Sequence, residues 1–208
     1  MPSREVLAHL SNEIRRPDPW LLETNSYEQA RYDAMISLIA YHPKFKYGLE
    51  VGCAAGAFTS RLLDRCQKLR LVDIMPEAIE RCQARFKGQS HLVFTVDDIA
   101  SCGGWGETYD LIVVSEVLYY LEQRELIDRS IALLASLLCE DGVLLFGSVV
   151  DEVAWRWGMY GAETAMATWS QYLIEEHRLH CVGALPDENS TLVRYACYDN
   201  NSYRFMWS

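Results

Sequence analysis

The chain of 208 residues contains no apolar run approaching the ~18–20 residues that a membrane helix needs, so no span is expected. Basic residues are scarce: 19 Lys+Arg stand against 29 Asp+Glu, a net charge of −10. A phosphate-backbone binder carries a basic footprint, so no nucleic-acid partner is expected either. The seven cysteines never fall in a C-x-x-C pair, and zinc clusters and disulfide frameworks both demand paired spacings. They read as small buried hydrophobes, and no ligand cluster indicates a metal. The opening MPSREVLAHLSNEIRRPDPW is charged and broken by prolines, which a secretory leader's apolar core is not, and the expected compartment is the cytoplasm. No internal repeat or low-complexity segment occurs.

What is present is a globular composition, half apolar and 23% charged, of a length that suits one domain over 1–208. Residues 1–44 read as a helical cap, with YEQARYDAMISLIAY at 27–41 close to a 3.6-residue apolar stripe ended by Pro43. From 45 to 200 strands and helices alternate. KYGLEVG, LRLVDI, HLVFTV, YDLIVVSEV and GVLLFGSVV are strand-like; FTSRLLDRC, PEAIERCQARF and LEQRELIDRSIALLASLL are helical, the last stopped by a charged turn at Cys139–Gly142. Strands apolar on both faces and separated by helices indicate an α/β, doubly wound parallel sheet. HRLHCVGALP and STLVRYACYD, joined by the turn PDENS, read as a closing hairpin. The expected sheet therefore has seven strands, mostly parallel, with an antiparallel C-terminal strand.

The informative segment is LEVGCAAGAF at 49–58, where the first strand meets a helix. Gly52 lets the chain turn sharply and Gly56 lets backbone approach a ligand without a Cβ clash. Ligands of open α/β sheets sit at this edge. The segment is not the dinucleotide fingerprint, and Glu50 beside it repels a pyrophosphate but attracts an ammonium group. Asp73 ends the second strand, where an acid can accept from both hydroxyls of a ribose; a capping role for the helix opening at Pro76 competes. After the third strand, Asp97 or Asp98 can accept from an adenine amino group with Ile99 against the ring. Asp98 is favoured, while a solvated turn explains Asp97 equally well.

Together, E-x-G-x-x-x-G, the strand-two acid, the D-I after strand three and Y-D-L-I-V-V-S-E-V-L resemble the class I S-adenosylmethionine-dependent methyltransferases over residues 46–198. Ala54 stands where many members have a middle glycine, a change that alanine tolerates wherever φ stays negative. D-P-W at 18–20, S-Y-E-Q-A-R-Y at 26–32 and S-E-V-L-Y-Y-L at 115–121 resemble, more narrowly, the rhizobial nodulation-factor N-methyltransferases. That resemblance implies S-adenosyl-L-methionine as methyl donor and S-adenosyl-L-homocysteine as product. It implies as acceptor the free amine of the terminal, non-reducing, N-deacetylated glucosamine of a chitooligosaccharide. Other hydroxyl, thiol or amine acceptors, or a non-catalytic binding module, are the alternatives. The oligomeric state stays open.

Methyl transfer is an in-line displacement, so the protein mainly orients its reactants. Glu116, Tyr119 and Tyr120, just past strand four, sit where groups that accept amine N–H bonds should be; Glu116 is also placed to bond the donor's amino group or cap a helix. Ile74, Ser115 and Trp20 join the expected cofactor contacts through the resemblance. Arg31, one turn from Tyr27, is expected to pair bidentately with the cofactor carboxylate. A histidine near strand four would have favoured an oxygen nucleophile, and none is expected there: His91 opens strand three, and His177 and His180 belong to the hairpin. The aromatic stretch WRWGMY at 155–160 is a candidate sugar platform.

Overall fold

The computed structural model describes residues 2–149, 162–169, 171–183 and 191–199. The stretch 155–160 and the turn 186–190 lie outside the described residues. The cap opens with α1 (Arg4–Ile14), whose first turn is closed by Ser3 accepting from the Val6 N–H at 3.2 Å. A short 3₁₀ turn (Pro19–Leu21) leads to α2 (Ser26–Leu38), capped by Asn25 accepting from the Tyr27 N–H at 2.9 Å. The expected 27–41 helix thus forms, shorter at its end.

The core follows as β1 (Phe45–Val51), α3 (Thr59–Leu62), β2 (Cys66–Asp73), α4 (Pro76–Arg85), β3 (Leu92–Val96), β4 (Tyr109–Ser115), α5 (Arg124–Leu137), β5 (Leu138–Val149), α6 (Ala162–Trp169), β6 (Ile174–Gly183) and β7 (Thr191–Asp199). The strands make one seven-stranded sheet in the order β3-β2-β1-β4-β5-β7-β6. The first five are parallel, and β7 runs antiparallel to both neighbours. Period-2 alternation sorts the strand residues onto two faces. Leu69, Leu71, Leu111, Val113 and Leu145 pack under α2, α3 and α4; Leu49, Val51, Ile112, Val114 and Phe146 pack under α5 and α6. Trp169 is one of the aromatics clustered in the C-terminal third, and it is fully buried against Phe146.

Two expectations shift. The helix expected over 58–66 shrinks to the single turn of α3, because Cys66 pairs with Phe45 as the first residue of β2. Gly48 makes that pairing possible: a Cβ there would meet the Cys66 sulfur at 2.6 Å. The charged turn at 139–142 does not precede β5 but bulges out of it, since Tyr109 faces Leu138 while Leu111 faces Val143. Parallel pairing brings Val51, Asp73, Val96 and Ser115 to one edge of the sheet, and the connections leaving these ends build the site.

Candidate active site

A cleft of about 1370 Å³, its solvent mouth included, opens at that edge and is roofed by α1, the 3₁₀ turn and α2. Its floor is the loop after β1. Gly52 has φ +75, and a Cβ on it would come within 2.3 Å of Val117, so this position needs glycine twice over. Ala54 departs from expectation: its φ is +48, not negative. The reason is Asp73, which accepts from the Ala54 N–H at 2.9 Å and the Met75 N–H at 2.8 Å, tying this loop to the end of β2. Asp73 does not cap α4, whose N-cap is Met75. Gly56 also departs, for it does not line the cleft. Its missing Cβ leaves room for the Phe86 ring, 2.5 Å from where that carbon would sit, so it serves packing of the loop on α4.

Glu50 is 3% exposed and accepts from the Thr59 hydroxyl at 2.7 Å. Burial pushes its carboxyl up to about 8, against the pull of that hydrogen bond and helped by the charge of Asp73. Burial likewise lifts Asp73 to about 6, although N–H groups of Met75, Ala54 and Ile74 favour its ionised form. Thr59 was not singled out by sequence reasoning; a hydroxyl nine residues beyond Glu50 was the available signal.

Ile74, Asp97, Asp98 and Ile99 line the neighbouring part of the cleft with Trp20 above. Asp98 is buried and bonds the Ala100 N–H and the Ser101 hydroxyl. Asp97 is half-buried and takes the Trp105 indole N–H at 3.0 Å, so it is more than a solvated turn. Trp20 packs with Ala54 and Met75 around Ile14, Ala55 and Ala78, which joins the roof to the loop. Its φ of +51 is costly for an aromatic residue.

The third group surrounds the end of β4. Arg31 is 4% exposed, and its Nε and Nη2 edge donates to Glu28, while Nη1 reaches Ser115 Oγ at 2.9 Å and Glu116 at 3.3 Å. The bidentate edge expected to hold a cofactor carboxylate is thus taken by a carboxylate one turn back on the same helix. Glu116 has φ +57, with its N–H on the Gly147 carbonyl at 2.9 Å. The Tyr119 and Tyr120 rings are tilted at 45° with centroids 4.6 Å apart; burial and the nearby Glu116 raise the Tyr119 phenol well above its ordinary value, and burial lifts Tyr120 to about 12. Among the expected site residues that are described, all but Gly56 line this cleft. Sequence reasoning passed over Glu28 and His9. Folding of α1 over the site brings the His9 ring to 6.3 Å from Tyr120, so a histidine does stand near β4, behind Tyr120 and not in the cleft lining.

The family model for nodulation protein S matches residues 3–200. The chain belongs to the nodulation protein S (NodS) family. Its relatives include nodulation protein S of Sinorhizobium fredii NGR234, 41% identical with 89% of this chain and 86% of that protein covered. The Bradyrhizobium diazoefficiens protein is 42% identical with 89% of each chain covered. A solved structure, N-methyltransferase NodS from Bradyrhizobium japonicum WM9 in complex with S-adenosyl-L-homocysteine, matches with TM-score 0.86 at 36% identity, over 94% of this chain and 98% of that one. The chain accordingly has the fold of an S-adenosylmethionine-dependent methyltransferase and the cleft that goes with it.

Among the described residues no group of acids, histidines and cysteines is placed to hold a metal, and no helix is long and apolar enough to cross a membrane.

Proposed function

We propose that this NodS-family chain transfers a methyl group from S-adenosylmethionine to the free amine of the terminal, N-deacetylated glucosamine of a chitooligosaccharide. The observation that carries the reading is the charge of the cleft. Among the described residues that line it, the acidic side chains of Glu28, Glu50, Asp73, Asp97, Asp98 and Glu116 face one guanidinium, Arg31, with Glu50 adding its charge when a cation pairs with it. Such a surface attracts cations and repels a diphosphate. The donor carries a sulfonium and an ammonium group, and the acceptor is an amine, so both fit it.

The cofactor's fit rests on two features of the floor. Glu50 is a buried carboxylate at the loop, and Gly52, at φ +75 and packed against Val117, turns the loop so that its backbone lines the cleft. Glu50 would hold the ammonium group, Asp73 the ribose hydroxyls, and Asp98 or Asp97 with Ile74 and Ile99 the adenine. Bound there, S-adenosylmethionine supplies an electrophilic methyl group on a positively charged sulfur. The remaining work falls to the chain. Glu116 and the paired tyrosines accept N–H bonds from the acceptor and turn its lone pair inward. The roof of Trp20, Leu10 and Ile14 excludes water, and fixing both reactants gives most of the acceleration. An amine of ordinary basicity loses its proton without a strong base. This suits a cleft whose described lining holds no histidine, the His9 ring lying 6.3 Å from that of Tyr120.

The test is incubation of the protein with methyl-labelled S-adenosylmethionine and a short chitooligosaccharide, with and without its terminal N-acetyl group. Label on the terminal nitrogen of the deacetylated sugar alone, located by mass fragmentation, supports the reading. Label on oxygen, or none with either sugar, refutes it.

A further inference from the structure

Glu28 and Arg31 are three apart on α2, a spacing that usually makes an exposed pair of small value. Here the pair is turned inward. The Arg31 side chain is 4% exposed and that of Glu28 19%, and both line the cleft. One carboxylate oxygen, Glu28 Oε2, accepts from both Nε and Nη2 of Arg31. That fixes the guanidinium plane and leaves Nη1 to cross from α2 to the end of β4, where it meets Ser115 and Glu116.

We propose that Glu28 is a positioning residue of the methyl transfer, aiming Arg31 at Ser115 and Glu116 and keeping the guanidinium charge from neutralising Glu116. The inference rests on the reading that Glu116 orients the acceptor nitrogen. With Arg31 alone beside it, Glu116 would belong to a neutral ion pair and accept an amine N–H weakly. With Glu28 on the opposite edge, one cation is shared between two carboxylates and Glu116 keeps part of its charge. The backbone points the same way. Glu116 sits at φ +57, a conformation that favours glycine or asparagine, so its placement is held at a cost.

The other titratable groups coupled to Glu116 include Tyr119 and Tyr120 on the turn after β4; further out, Tyr32 of α2 couples to Arg31, Glu28 and Glu50, and Glu13 of α1 to Tyr120. None of them holds Arg31 by its fork.

The experiment compares the full chain with Glu28→Gln and Glu28→Asp. It measures kcat and KM for both substrates from pH 6 to 9, calorimetric affinity for S-adenosylhomocysteine, and the carbon-13 titration of the Glu116 carboxylate. For Glu28→Gln, kcat should fall tenfold or more while S-adenosylhomocysteine affinity stays within threefold. Removing a negative charge leaves Arg31 more positive toward Glu116, so the Glu116 titration should move down by about one pH unit. Glu28→Asp, which keeps the charge, should keep the Glu116 titration near that of the unaltered chain and recover part of kcat. A kcat within twofold of the unaltered chain overturns the inference, as does a parallel fall of kcat and S-adenosylhomocysteine affinity. Were the unaltered chain inactive on the amine, the proposed function would fail. The carbon-13 titration would then decide by itself, an unchanged Glu116 overturning the role given to Glu28.

Discussion

If Glu50 holds the ammonium group of the cofactor, as proposed, cofactor affinity should depend on pH by an amount the structure sizes. Its carboxyl titrates near 8 in the unliganded cleft, because burial disfavours the charge. Binding an ammonium group requires that charge, while the α-amino group of a free ligand titrates near ~7.8. If the ion pair is the binding form, affinity scales with the ionised fraction of Glu50 times the protonated fraction of the ligand. Between pH 6 and pH 8 that product rises roughly twentyfold, equivalent to about 1.8 kcal/mol, and beyond about pH 8 it falls again. At pH 7 the complex should release roughly 0.8 proton, since Glu50 gives up nearly one and the ligand takes up a fraction. Calorimetry of S-adenosylhomocysteine in buffers of differing ionisation enthalpy reads both quantities. Glu50→Gln should bind at pH 8 no better than the unaltered chain does at pH 6, and should lose the proton release. An affinity that changes less than twofold from pH 6 to 8, with no proton exchanged, would refute the argument.

The same group sets a stability trend of opposite sense. Because the folded chain holds the Glu50 proton more tightly than the unfolded chain, stability present below the unfolded value of 4.5 is lost as pH rises toward 8. Glu50→Gln, whose carbonyl can still accept from Thr59, should therefore melt higher than the unaltered chain at pH 8 and about equally at pH 4.5; a lower melting temperature at pH 8 contradicts this. Ala54→Gly removes an alanine from positive φ and should stabilise by about 0.5–1 kcal/mol, read as a rise of about 1–4 °C in Tm. Gly56→Ala should cost about 3 kcal/mol, since it adds both a strained φ and a carbon against the Phe86 ring. In urea titrations its midpoint should drop, while S-adenosylhomocysteine affinity of the folded fraction changes little because Gly56 is not in the cleft.

The sheet was legible because its central strands are apolar on both faces, and such runs as YDLIVVS and GVLLFGSV have few other uses. The floor of the cleft was legible for a related reason: Glu50, Gly52 and Asp73 are polar or flexible residues at the ends of apolar runs, where only a ligand edge needs them. What stayed hidden depended on tertiary contact. Nothing local distinguishes Glu28 from a solvated helix glutamate; its role arises when α2 crosses the end of β4 and buries Arg31. His9 is 111 residues from Tyr120 in the chain and meets it only because α1 folds back over the cleft. The sign of φ at Ala54 was equally out of reach, being imposed by a hydrogen bond from its N–H to Asp73, nineteen residues further on.

The costly features of the cleft share a direction. Glu50 and Asp73 are carboxylates held where ionisation is disfavoured, and Ala54, Glu116 and Trp20 are held at positive φ. All five line one cleft, and the electrostatic part of their cost falls when a cation enters. A ligand that pairs with Glu50 therefore stabilises the chain more at pH 8, where it binds more tightly, than the same free concentration does at pH 6. Thermal shifts at one fixed excess concentration of S-adenosylhomocysteine should accordingly be larger at pH 8. Equal shifts at the two pH values would mean that the carboxylate of Glu50 does not meet the ligand's charge.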